Sequence, residues 1–241
     1  MLRIIHEGLL AVFLCVVAYF AFSVWMDRFS WRQEMTVIVE TPAGEVSGSS
    51  VTEIVWRKHQ IRFMDGMGWD YDVTGEAVVV EVTPGKYLFA LLKGAGTTEY
   101  MGSVAAASIS GQRGRVIDRA LFAEVAEKRG RASGIITVPD YQYPLMVTFE
   151  DITDPTTVSR VDPTDLAASF KEGVDLKDVF LEVTKASVSE GGVEGFLPWL
   201  EAVGRERSSL LARPERGLVS DQADPKIYQI SPSNFAPELY K

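Results

Sequence analysis

Residues 35–57 read MTVIVETPAGEVSGSSVTEIVWR, and the fold class turns on how this stretch is read. β-Branched residues gather on both sides of Pro42-Ala43-Gly44, with a second breaker at Gly48, which is the pattern of a strand pair around a turn. Val37 and Val39 alternate with Thr36 and Ile38, and Val55 stands between Glu53 and Trp56, so neither face is purely polar and one side is expected to meet a helix. Downstream, residues 76–92 repeat the arrangement. There AVVVEV and KYLFALL enclose Thr83-Pro84-Gly85, where proline presets φ and glycine relieves the turn, and the two hairpins together predict four strands.

Further along, residues 94–110 form a Gly-rich, small-residue passage. The segment VIDRALFAEVAEKR then places Val116, Ala120, Leu121 and Val125 on one helical face, with Gly130 as its closing residue. In GIITVPDYQYPLMVTFEDI two short apolar runs, split by Pro139 and Pro144, predict two strands joined by an aromatic loop carrying Tyr141 and Tyr143. For those two tyrosines core packing is the simpler expectation. Asp162-Pro163-Thr164-Asp165 predicts a short helix through Phe170, with aspartate as N-cap and proline at the first helical position. Residues 178–184 predict a strand and 193–203 a short apolar helix. Prolines at 214, 225, 232 and 237 predict an extended, Pro-containing tail over 213–241. The order of elements, without an internal repeat, predicts an α+β domain over residues 32–212, mainly antiparallel β-sheet with a few short helices. A pure sandwich is the alternative.

Upstream the chain changes character. Residues 8–25 read GLLAVFLCVVAYFAFSVW, a run without a charge whose helical length of roughly 27 Å approaches the hydrocarbon thickness of a bilayer. Arg3, His6 and Glu7 bound it on one side and Asp27 and Arg28 on the other, while Trp25, Phe29 and Trp31 stand where an interfacial aromatic belt would lie. Residues 1–31 are therefore expected to be a membrane anchor with its flanks, the lipid bilayer being the partner of residues 8–25. A cleaved signal peptide competes, since Ala21 and Ser23 suit a cleavage site, but the apolar run is longer than such a peptide needs. The short head before the run places the soluble domain outside the cytoplasm, which for a bacterial source means an inner-membrane, single-pass protein with a periplasmic domain.

At YPLMVTFEDITDPTTVSRVDPTDLAASF, residues 143–170, the chain resembles an uncharacterised group of small bacterial, mostly proteobacterial, single-span membrane-anchored proteins. The resemblance extends back to TPAGEVSGSSV at 41–51 and forward to LVSDQADP at 218–225. It implies one tethered domain; the group has no assigned activity, so it implies no site residues.

Composition removes several function classes. A formal charge of −9 opposes phosphate backbones and anionic lipid headgroups unless a local basic patch overrides it, so no nucleic-acid partner is expected. The single cysteine, Cys15, lies in the apolar run, and the two histidines are His6 and His59, so no zinc site or multi-histidine metal site is expected. His59 follows Arg57 and Lys58 and reads as a solvated strand-end residue. No phosphate-binding glycine loop occurs, Gly94 and Gly96 lacking the third glycine, and Ser47, Ser49 and Ser50 read as turn serines outside any nucleophile elbow. Carboxylates are plentiful: Glu150, Asp151, Asp154, Asp162 and Asp165 fall close together, but each has a turn or cap to serve, ahead of calcium binding or acid/base work. A second acidic group, Asp65, Asp70 and Asp72, surrounds Trp69 and is expected in an exposed loop, where Trp69 and Tyr71 are the candidate binding surface. No cofactor and no catalytic residue is expected. The reading that remains is a tethered binding or scaffold domain acting through protein contacts, possession of an activity being less expected; the alternative is an envelope enzyme built from dispersed Asp and Glu residues.

Overall fold

The computed structural model describes residues 10, 12–19, 28–58, 69–94, 99–128, 134–206, 209–211 and 229–240. The expected hairpin is its longest feature. Strand β1 (Arg28–Thr41) pairs antiparallel with β2 (Gly44–Lys58) in unbroken register from Arg28 opposite Arg57 to Thr41 opposite Gly44. Gly44 closes the turn with φ of 121°, a backbone that favours glycine, and the Thr41 hydroxyl donates to its carbonyl at 2.7 Å. Alternation sets the faces: Trp31, Gln33, Met35, Val37 and Val39 of β1 point inward and are buried. The sheet is completed by β3 (Trp69–Thr74), β9 (Asp175–Thr184) and β6 (Ile135–Thr137), in the order β3-β2-β1-β9-β6.

The second expected hairpin, β4 (Val78–Thr83) with β5 (Lys86–Gly94), forms as read but belongs to a different sheet, with β7 (Pro144–Phe149) and β8 (Val158–Val161) in the order β4-β5-β7-β8. All strand pairings described are antiparallel. The two sheets stack, and Gly48 shows how closely. A Cβ there would lie 2.0 Å from the carbonyl oxygen of Val79, so the glycine read as a breaker is a mid-strand residue whose missing side chain admits the crossing strand. Pro139 and Pro144 also separate more than two neighbouring strands: β6 and β7 end up in different sheets, joined by a 3₁₀ turn at Asp140–Gln142.

Two cores result, one on each face of the second sheet. Between the sheets lie the inward residues of β1, β2 and β9, Val78, Val80 and Val82 of β4, and two helices, α1 (Tyr100–Ser110) and α2 (Arg119–Glu127). α1 occupies the Gly-rich passage, and eight of its residues are buried. Its small side chains let the backbone approach the sheet, since a Cβ on Gly102 would meet the rings of Trp56 and Tyr71 at 2.8 Å. α2 is capped by Asp118, which accepts from the amides of Ala120 and Leu121, and it buries Phe122 and Val125. The opposite face of the second sheet carries Phe89, Leu91, Leu145, Val147 and Phe149. It is covered by α3 (Gly192–Phe196), α4 (Leu200–Glu206) and the C-terminal segment with Ile230 and Phe235. The single apolar helix expected over 193–203 is thus two, broken around Pro198, whose ring and missing N–H do not fit a helix interior.

Several expectations are corrected. β1 begins at Arg28, inside the stretch assigned to the anchor and its flank, and Trp31 is fully buried between the sheets instead of standing in an interfacial belt. Within the stretch expected to be an extended, Pro-containing tail, Ile230, Phe235 and Ala236 are buried, and the Phe235 carbonyl accepts from the Ala77 amide at 2.7 Å. No α-helix opens at Asp162; a 3₁₀ turn forms at Leu166–Ala168, capped by Asp165. The spanning helix is not supported either. Among the described residues no helix is long and apolar enough to cross a membrane. Residues 10 and 12–19 are helical. The rest of the run at 8–25, His6, His59, Asp65, Gly130 and residues 212–228 lie outside the described residues.

Candidate functional site

Trp69 and Tyr71, the candidate surface from the sequence, are in β3 and not in a loop. The stretch WDYDVT alternates, so Trp69, Tyr71 and Val73 turn inward and are partly buried, while Asp70, Asp72 and Thr74 face out. Trp69 meets Phe29 and Phe122 with ring centroids 5.9 and 6.0 Å away, and Tyr71 lies 5.1 Å from Trp56. Burial, with the Glu99 carboxylate adding to it against the opposing effect of Arg115, pushes the Tyr71 hydroxyl up to about 12. These rings seal one end of the core. The alternation that marks them as a strand was in the sequence, behind the glycines and aspartates that suggested a loop.

The aromatic loop at Tyr141 and Tyr143 builds the cleft that the sequence reading passed over. Between the Asp140–Gln142 turn and the β7–β8 pair lies an open recess of about 190 Å³, lined by Asp140, Tyr141, Tyr143, Met146, Arg160 and Pro163 among others. Its wall is fixed by the end of α1: Gln142 Nε2 donates to the Gln112 carbonyl at 2.8 Å, and the Arg113 guanidinium sits 4.3 Å above the Tyr141 ring. Tyr141 remains 39% exposed, so its edge is available at the mouth. Burial first, then the nearby carboxylates of Asp178 and Asp140, raises the Tyr143 hydroxyl, which stays protonated and able to donate at neutral pH. Arg160 came to no notice in the sequence because a lone arginine in a short strand carries no motif.

The acidic segment is occupied by its own backbone. Asp151, Asp154 and Asp162 each stand two residues before a threonine, and each carboxylate accepts that threonine's amide and hydroxyl: 2.9 and 2.7 Å at Thr153, 2.8 and 2.7 Å at Thr156, 2.9 and 2.7 Å at Thr164. These bonds hold the Asp151 and Asp162 carboxyls below the usual carboxylate range. Among the described residues no three metal-type ligands converge. Glu76 is the most buried carboxylate described. It accepts from the amides of Gly192 and Val193 at 2.9 Å each and so pins the start of α3 to the second sheet.

The class these observations define is an α+β domain of two stacked antiparallel sheets with a small polar-aromatic cleft. No protein-family model, curated protein or solved structure matches the chain.

Proposed function

We propose that the chain is a membrane-tethered binding domain, held at a bilayer through residues 8–25 and acting on another envelope protein through the Tyr141–Arg160 cleft. What carries the tether is the exposure of the N-terminal helix. Leu10, Val12, Phe13, Leu14, Val16, Val17 and Tyr19 are each between 46% and 69% exposed. They point all round the helix, so no rotation buries them on the domain. Leaving that many large apolar side chains in water costs on the order of 10 kcal/mol, as much as a whole domain's stability. A bilayer removes that cost.

The size of the cleft carries the second half of the reading. Small-molecule pockets usually enclose 300 Å³ or more, whereas 190 Å³ beside Arg160 and two tyrosines suits a single side chain of a protein partner. Both halves are testable in native membranes. The full chain should stay in the pellet after an alkaline wash, and a photo-crosslinker replacing Tyr141 should give an adduct that R160A abolishes and that the same crosslinker at Ala43 does not form. Release by the wash would overturn the tether; no adduct at 141, or equal adducts at both positions, would overturn the binding site.

A further inference from the structure

We propose that the end of the first sheet where β1 begins is a contact surface for anionic phospholipid headgroups, engaged by Arg28 and Arg57. This rests on the tether proposed above, because residue 28 follows the apolar run by three residues, a span of about 10 Å. Whatever membrane holds residue 25, this end of the sheet lies next to it.

The charge pattern of the two ends differs in the direction such a surface needs. Arg28 and Arg57 are directly opposite on neighbouring strands, both exposed. Like charges in that position repel, and an anion between them relieves the repulsion. Arg57 pairs with Asp72, whereas Arg28 has no ion pair among the described residues. Lys58 and Lys185, also exposed, end β2 and follow β9 at this same end; Asp70 and Asp72 are the carboxylates that face them from β3. α2, packed behind, adds Arg119 and Lys128 against Asp118, Glu124 and Glu127. The far end, where a Cβ on Gly173 would lie 3.0 Å from the Pro42 ring of the β1–β2 turn, presents Glu40, Glu45, Glu172 and Asp175 against Lys171 and Lys177. In a chain of net charge −9 the end where the apolar run enters thus carries six of these cations against five carboxylates, and the far end two cations against four carboxylates. Headgroup phosphates attract the first end and repel the second.

The test uses the full chain in vesicles of phosphatidylcholine, with or without phosphatidylglycerol, and a lipid-borne quencher. Cys15→Ser removes the only cysteine, and a fluorophore is placed through S30C near the proposed contact or through A43C at the far turn. The S30C reporter should be quenched more strongly when phosphatidylglycerol is present, and less so at high salt. R28Q should lower the docked fraction about fivefold, and adding R57Q should lower it further. The A43C reporter should be unaffected by lipid composition. Equal quenching of S30C in both vesicles, or no response to R28Q, overturns the docking while alkaline-resistant retention leaves the tether standing. Loss of the chain on alkaline wash overturns the tether and the docking together.

Discussion

The two cores of this domain are built by different means. In the first, Phe122 lies within 4.8 to 6.1 Å of the ring centroids of Phe29, Trp31, Trp56 and Trp69, contributed by the long hairpin, its edge strand and one capped helix. In the second, Phe235 meets Phe89, Phe149 and Trp199 at 5.8 to 6.2 Å. Its cover, however, is two short helices and a C-terminal segment of 3₁₀ turns at Pro232–Asn234 and Pro237–Tyr240. Regular elements dock as units; short helices and turns hold only through the side chains they bury. The difference teaches that burial alone does not make a region robust, and the second core is expected to open first, without the first. Hydrogen exchange should protect β1 and β2 more than residues 229–240; equal protection would erase the distinction.

The largest expected effect comes from where the chain is cut. Among the described residues every member of both clusters lies at or beyond Phe29, so a chain starting at Arg28 should be soluble and fold with both cores intact. A chain starting at Arg32 loses Phe29 and Trp31 and leaves the buried Gln33 without the indole N–H that donates to it at 2.8 Å. That loss is expected to exceed about 5 kcal/mol, a large part of a domain's stability, and thermal melts of the two truncations should differ accordingly. Next come single rings. Phe122→Ala and Phe235→Ala should each cost about 3–5 kcal/mol in denaturant unfolding. Only the second should leave the near-UV signal of the tryptophan cluster intact at intermediate denaturant. Gly48→Ala should cost roughly 3 kcal/mol, because the clash is with the Val79 backbone oxygen, which no rotamer change can move aside. Melting unchanged by that substitution would mean the sheets are less closely stacked than described.

The same difference governs how much of the fold was legible in the sequence. The first core was read through its hairpin, because alternation over 35–57 and a Pro-Ala-Gly turn are local signals. What escaped were features that only a tertiary contact defines. Gly48 and Gly102 are spaces for a crossing backbone and for aromatic rings, whereas along the chain Gly48 reads as a breaker and Gly102 as one residue of a Gly-rich passage. The assignment of β4 and β5 to a second sheet follows from stacking, not from their own pattern. Phe235 sits among prolines with no period around it, yet three rings from distant segments close on it. Of the candidate site, Tyr141 and Tyr143 were visible as an aromatic loop and assigned to the core; Arg160 and Arg113 reach them only through the fold. Trp69 and Tyr71, expected in an exposed loop, stand partly buried in β3.

The smallest expected effect lies outside both cores, at Asp162, and it separates a turn carboxylate from a cation ligand. Its side chain is exposed and accepts the Thr164 amide and hydroxyl. Asp162→Ala removes both bonds and should cost at most about 1 kcal/mol, solvent replacing part of what is lost. Asp162→Asn retains the acceptor oxygen and should lose less than half of that. Because the folded-state carboxyl is held below its ordinary value, the contribution is present above about pH 4, the unfolded value, and fades as pH falls through the lower folded one. The wild-type chain should therefore lose stability below about pH 4 slightly more steeply than the Asn variant, which has no carboxyl to protonate. Thermal melts of wild type, Ala and Asn at neutral and acid pH, with and without calcium, give the answer. A cation ligand would invert the ranking: Asn would be as damaging as Ala, and calcium would stabilise only the wild type. That outcome would make the Asp-x-Thr turns at 151, 154 and 162 a functional feature and not three copies of one local hydrogen-bonding habit.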